Sequence, residues 1–223
     1  MEKGVNGSEP AEIEFRPVEE SDFPTLTAWL AEPHVRRFYQ KTPVTLEQVA
    51  LEYGPFVRGE EPTICHLAIS GDAPFAYLQC YRNADYPEWV DIIEVNDGIS
   101  VDLFVGEPAY LHRGFGRAAL CGYLLEVAFP YYASETRAYI AHEPLNTAAL
   151  RCSRAVGFRP LRKFLEGGVE MVLLGSNRLS IEGSKTTKQR ATALVSLRTR
   201  SSLRRERLAF EGPRQAYAQP AWP

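Results

Sequence analysis

Apolar residues recur at strand spacing, or in short continuous runs, along residues 13–18 (IEFRPV), 63–70 (TICHLAIS), 74–82 (PFAYLQCYR), 99–105 (ISVDLFV), 136–142 (TRAYIAH) and 168–174 (GVEMVLL). These six stretches predict β-strands. Gly71-Asp72 separates the second from the third and predicts a hairpin there. Helical spacing fills much of the rest. Ser21 and Asp22 precede a helix through Leu30 with Pro24 in its first turn, and Thr45 caps a second along TLEQVALEYGPFV. In GRAALCGYLLEVAF, the residues Ala119, Leu120, Tyr123, Leu124, Val127 and Ala128 share one helical face. A last helix runs along NTAALRCSRAVGF, with Asn146 as its cap and Gly157 past its final turn. The predicted order is β-α-α-β-β-β-α-β-α-β, a mixed α/β fold.

Length and composition narrow the class. At 223 residues and 45% hydrophobic content the chain suits one domain with appendages. It holds no run near the roughly 20 apolar residues of a membrane span. The opening MEKGVNGSEPAEIEF has no apolar signal core. Cys65, Cys80, Cys121 and Cys152 are scattered singly, without a CxxC pair or a Cys/His cluster. That pattern argues against zinc and for buried free thiols in a reducing compartment, the cytoplasm by default. Charge is uneven. Residues 177–223 hold ten Lys/Arg and three Glu, a net of +7, whereas residues 1–176 carry −10. The chain therefore reads as a flexible N-terminus over 1–11, a folded domain over 12–176 and a basic, disordered tail over 177–223. Within that tail, ALVSLRTRSSLRRERLAF has the spacing of a basic amphipathic helix.

Candidate chemistry begins at Arg113-Gly114-Phe115-Gly116-Arg117, which stands between a predicted strand and a predicted helix. Glycines let backbone N–H groups approach an anion, and a helix start adds unsatisfied donors and partial positive charge. The dinucleotide fingerprint GxGxxG and the GK[ST] of a Walker loop are both missing. LHRGFGRAALCGYLLEVAF followed by NTAALRCSRAVGF resembles the GCN5-related N-acetyltransferase (GNAT) superfamily, over roughly residues 12–175. PHVRRFYQ with TLEQVALEYGPFV, FAYLQCYR and ISVDLFVGEPAYLHRGFGRAAL are similar to one branch, the aminoglycoside 6'-N-acetyltransferases of the Ib type. The resemblance implies a single GNAT-like domain, with a mixed, mostly antiparallel central sheet flanked by helices, and acetyl-CoA as co-substrate. It implies that acetyl-CoA meets Leu103, Phe104 and Val105 on the strand, Arg113 to Ala118 in the loop and helix start, and Asn146. Leu111 stands where the superfamily motif has Gln or Arg, so backbone donors from Arg113 to Ala118 carry the grip.

Between Asn83 and His112 lie seven acids and no Lys or Arg. Such a one-signed stretch attracts a polycation, and Asp91, Glu94 and Asp97 within it are candidate substrate contacts. Phe38, Tyr39 and Trp89 offer aromatic faces for sugar rings or amines. Gln79, Tyr81, His142 and Glu143 complete the candidate substrate set. Amine acetylation needs a proton acceptor. Asp102, an acid inside the apolar SVDLF, lies on the face opposite Val101 and Leu103, and the resemblance implies it is the catalytic base. Two departures weaken a strict carry-over. Ser153 occupies the place of a superfamily tyrosine that serves as general acid, so the proton comes from elsewhere, Tyr131 or Tyr132 being candidates, or the thiolate leaves unaided. Ala141 replaces the branch's substrate-binding Asp.

The expected protein is a cytoplasmic acetyl-CoA-dependent N-acetyltransferase, monomer or homodimer, with no metal and no nucleic acid or membrane partner. Its acceptor is a primary amine of a cationic small molecule, foremost the 6'-amine of an aminoglycoside. Rival readings are a siderophore-type lysine N-acyltransferase, a protein N-terminal acetyltransferase and a catalytically degenerate GNAT binding module.

Overall fold

A computed structural model describes residues 12–185. Seven strands make one sheet: β1 (Ile13–Pro17), β2 (Thr63–Ser70), β3 (Ala73–Arg82), β4 (Ile99–Val105), β5 (Arg137–His142), β6 (Arg159–Glu166) and β7 (Val169–Asn177). Their spatial order is β1-β2-β3-β4-β5-β7-β6. Every neighbouring pair is antiparallel except β4 and β5. The helices are α1 (Phe23–Ala31), α2 (Pro33–Arg36), α3 (Leu46–Val57), α4 (Pro87–Ile93), α5 (Phe115–Tyr123), α6 (Phe129–Tyr131) and α7 (Thr147–Val156). A π-helical turn, Leu124–Ala128, joins α5 to α6.

Local chemistry explains the main boundaries. Thr45 and Gln48 form a reciprocal capping box at the start of α3, satisfying two backbone donors at 3.3 and 2.8 Å. The Asn146 side chain accepts from the Ala149 amide at 3.2 Å and starts α7. Two apolar layers sandwich the sheet. Ala119, Leu120, Tyr123 and Leu124 bury fully against Leu78, Cys80, Val101 and Ile140 on one face. On the other face Leu26, Trp29, Val49 and Tyr53 of α1 and α3 cover Leu67, Tyr77 and Phe104. Thus β3 and β4 turn Leu78, Cys80 and Val101 towards α5, and Tyr77 and Phe104 the other way, as period-two alternation requires.

The mixed, mostly antiparallel sheet flanked by helices is the expected one, with three additions. Helix α2 and helix α4, the latter within the acidic stretch, are both absent from the predicted order. Strand β6 was not expected, because it is an edge strand whose Leu161 and Leu165 face solvent while Phe164 is buried. The Gly167-Gly168 turn, with φ of 54° and 83°, pairs β6 with β7 as a tight hairpin and was the available signal. The boundary expected at residue 176 is also corrected. β7 runs to Asn177, residues 178–185 form a helix, and Ile181 is fully buried in the α5-side core. The expected flexible N-terminus and the rest of the expected basic tail, including its amphipathic stretch, lie outside the described residues.

Candidate active site

The sheet's one parallel junction frames the candidate site. β4 and β5 pair only at Ile99–Ala138 and Ser100–Tyr139. Beyond Ser100 the two strands part, so β4 from Val101 to Val105 keeps β3 on one side and has no partner strand on the other. Backbone groups along that free edge require hydrogen-bonding partners from elsewhere. The His34 ring, from α2, meets the last of them, with Nε2 2.8 Å from the Val105 carbonyl oxygen.

Asp102 sits on this unpaired stretch, directly across from Gln79 on β3. The Gln79 amide donates to the Asp102 carboxylate at 3.0 Å, and the Tyr77 hydroxyl donates to the Gln79 carbonyl at 2.8 Å. This chain of donors fixes which way the Gln79 amide points. Burial raises the Asp102 carboxyl above the usual carboxylate range, while the Gln79 hydrogen bond pulls it back down. A carboxylate raised in this way is a better proton acceptor than one in water. Aromatic side chains wall the same face. Tyr39 meets Phe104 edge-on at 4.7 Å, Tyr77 stacks on Phe104 at 5.3 Å, and Tyr81 meets Tyr86 at 5.0 Å. Burial, then the fields of Tyr53 and Asp102, push the Tyr39 phenol well up. Burial, then Asp102 and Glu166, do the same to Tyr81.

Opposite lies the start of α5, the expected phosphate cradle. Gly114 caps α5 with φ of 87°, a left-handed conformation that glycine adopts without strain, and a Cβ there would meet nothing within 4 Å. The first amides of a helix have no partner within it, which is the arrangement an anion site uses. Gly116 lies close to β4: a Cβ there would sit 3.3 Å from the Val105 side chain. Arg113 donates to the Ala109 carbonyl at 3.0 Å and lies over the Phe115 ring at 5.5 Å. Arg117 and Ala118 are half-buried in the first turn. The Phe115 side chain is core, packed on Phe75 and Tyr110, so only its backbone can face a ligand. Likewise Phe104 points away from α5, whereas Leu103 and Val105 pack on the α5 side.

The remaining expected substrate contacts separate into distinct groups. Glu94 is ion-paired with Arg162, Glu143 with Lys41 at 2.6 Å, and Asp97 with Arg137 at 3.3 Å and the Tyr139 hydroxyl at 2.8 Å. Asp91 is exposed on α4. Trp89 is anchored, donating to the Ser100 hydroxyl at 3.1 Å and meeting Phe164 edge-on at 5.8 Å. Phe38 carries the Arg37 guanidinium over its ring at 4.9 Å. Sequence displays the sign of the 83–112 stretch but not Arg162 and Arg137, the ion-pair partners that reach its acids from outside. His142 lies on the α7 side rather than beside Asp102, with Nε2 2.8 Å from the fully buried Ser153 hydroxyl. Burial pushes its imidazole down to about 4. Tyr132 is spent on the Pro62 and Cys80 carbonyls, at 3.0 and 3.5 Å, and does not replace the missing tyrosine. Cys65, Cys80, Cys121 and Cys152 are unpaired, and burial raises each thiol, so none is an activated nucleophile. Among the described residues no His/Cys/Asp/Glu cluster could hold a metal, and no helix is long and apolar enough to cross a membrane.

Sequence reasoning missed Tyr53, Tyr77 and Glu166. The alternation Tyr77, Gln79, Tyr81 in FAYLQCYR carried the Tyr77 signal; Glu166 ends a strand whose existence was itself missed. Burial, then repulsion from Asp102, raises the Glu166 carboxyl.

The sequence profile of the acetyltransferase (GNAT) domain matches residues 18–165, and the chain belongs to that family. No curated protein sequence matches it. Among solved structures, aminoglycoside acetyltransferase AAC(6')-Ib in complex with coenzyme A is similar, with 22% identity and a TM-score of 0.69 over 78% of this chain and 99% of that one. The same enzyme with acetyl-CoA and paromomycin gives 24% identity and a TM-score of 0.68 over 76% and 96%. An aminoglycoside N(6')-acetyltransferase from Legionella pneumophila gives 18% and 0.57 over 82% and 99%. At these identities the likeness establishes the fold.

Proposed function

We propose that the protein moves the acetyl group of acetyl-CoA to a primary amine of a cationic small molecule, the 6'-amine of an aminoglycoside, in the cytoplasm. The observation that carries this reading is the placement of Asp102. It stands on a strand edge left free by β5, held by Gln79, on the face opposite the α5 cradle. The α5 amides and Arg117 would hold the phosphates, and the free edge of β4 would pair with the pantetheine arm. Amides near Leu103 to Val105 would stabilise the charge developing on the acetyl oxygen. Asp102 takes the amine proton, so nitrogen attacks the thioester directly and no acyl-enzyme forms. Tyr39 and Tyr81 wall the amine site, and Glu166 supplies a second negative charge in place of the carboxylate that Ala141 lacks.

The test is release of CoA thiol from acetyl-CoA over a panel of amines that includes kanamycin and tobramycin. Aminoglycoside-dependent release supports the reading; release with none of them refutes it. A second reading is favoured by the internal pairing of Glu94, Asp97 and Glu143, which leaves fewer free acids for a polycation. On that reading the acceptor is a lysine-like amine, as in siderophore-type acyltransferases, and the same panel separates the two. No turnover with any amine would favour a degenerate binding module.

A further inference from the structure

The Ser153 hydroxyl is completely buried, and among the described residues its one hydrogen-bond partner is His142 Nε2 at 2.8 Å. A buried hydroxyl that donates to nothing is destabilising. The hydroxyl proton therefore points to Nε2, which must be the unprotonated ring nitrogen. Burial keeps the imidazole neutral at physiological pH, so its single proton is on Nδ1. Nδ1 has no protein acceptor among the described residues, yet it is not an orphaned buried atom, since Arg36 Nε is the only one of those. It is a donor of fixed tautomer that the protein itself does not use.

Its position suggests what it serves. β5 beyond Tyr139 contributes Ile140, Ala141 and His142 to the parting from β4. Alternation places Ala141 on the Asp102 face and His142 on the α7 face. Under the proposed function, on which this inference rests, the thioester carbon must reach an amine on the Asp102 face. Its sulfur then trails towards α5 and α7, past His142.

We propose that His142, oriented by Ser153, donates its Nδ1 hydrogen bond to the sulfur of CoA as the thiolate departs. The C–S bond breaks with its electron pair on sulfur; His142 stabilises that charge and keeps its proton, while the amine proton goes to Asp102. His142 is then a catalytic residue, and Ser153 a positioning residue that does the work of selecting the tautomer. The pair offsets the absence of a tyrosine at position 153.

The test titrates CoA bound to the full chain, following the ultraviolet absorbance of the thiolate, so no acceptor is involved. His142→Gln keeps a group near Nε2 for Ser153 but loses the Nδ1 donor; His142→Asn keeps an amide donor near Nδ1 and loses the Ser153 contact. Loss of the donor should raise the pKa of the bound thiol by about 1–2 units in His142→Gln, and His142→Asn should recover much of the shift. Ser153→Ala should give a smaller rise, because the tautomer is then free to change. kcat should fall about 10-fold or more in His142→Gln, with CoA affinity nearly unchanged. An unchanged thiol pKa in a folded His142→Gln variant that binds CoA overturns the proposal, whatever happens to kcat. Weaker CoA affinity without a pKa change also overturns it, by assigning the donor to the pantetheine amides. Failure of every aminoglycoside with the thiol shift intact would refute the acceptor and leave this inference standing. A protein that binds no CoA overturns both.

Discussion

On the α5 face of the sheet the buried titratable groups include histidines. Burial pushes both His66, packed against Tyr123 at 5.4 Å, and His142 down to about 4. On the Asp102 face the titratable groups include carboxyls, and desolvation pushes Asp102, and the more exposed Glu166 beside it, up. One cause, desolvation, thus gives opposite responses to acid. A histidine with a depressed pKa binds fewer protons folded than unfolded, so its stability is present above about pH 6.5 and is lost as pH falls towards 4. A carboxyl with a raised pKa binds more protons folded than unfolded, so acid relieves the penalty of its burial. The contrast shows where the fold accepts a desolvation cost: a carboxylate on the Asp102 face and neutral imidazoles on the α5 face.

The strongest way to break the contrast is Asp102→Asn. Turnover should drop by about 10²–10⁴-fold, the range for a lost general base, while acetyl-CoA affinity holds and Tm does not fall. A large loss of Tm would show that Asp102 is structural. Next comes Gly114→Val, which forces a branched side chain into the left-handed region at about 1–2 kcal/mol. Acetyl-CoA Kd should rise about 10-fold by calorimetry, with the amine site untouched. Third, His66→Leu should flatten the acid-side loss of stability. That loss amounts to at most about 1.4 kcal/mol per pH unit for each depressed histidine, and denaturant melts between pH 4 and 6.5 measure it. Fourth, Gln79→Leu removes the hydrogen bond that pulls the Asp102 carboxyl down, so the acid limb of the rate profile should move to higher pH. The smallest effect belongs to Lys41→Ala. This half-exposed pair with Glu143 is worth at most about 1 kcal/mol, so Tm should barely move.

The same two faces differ in how far the sequence revealed them. The α5 side is governed by spacing: Ala119, Leu120, Tyr123 and Leu124 recur at helical period, and Gly114 and Asn146 mark the helix starts. Those signals are local, and the structure matches them. The Asp102 face depends on contacts between distant segments. Asp102 itself was visible as an acid in an apolar strand. Its partner Gln79 is 23 positions away, and Glu166 belongs to an edge strand whose two leucines face outward, which periodicity does not flag. The acidic stretch shows the limit most plainly. Its charge was legible, but Glu94 and Asp97 are matched by Arg162 and Arg137, and nothing local predicts that pairing.

The central claim is that Asp102 accepts the proton of an amine attacking acetyl-CoA. Its most direct test is the pH profile of thiol release, measured on the wild type beside Asp102→Asn with an amine the protein acetylates. Wild-type turnover should fall as pH drops through the raised Asp102 pKa. In the variant the slow residual rate should lose that limb. The same acid limb in Asp102→Asn, at near wild-type rates, would contradict it.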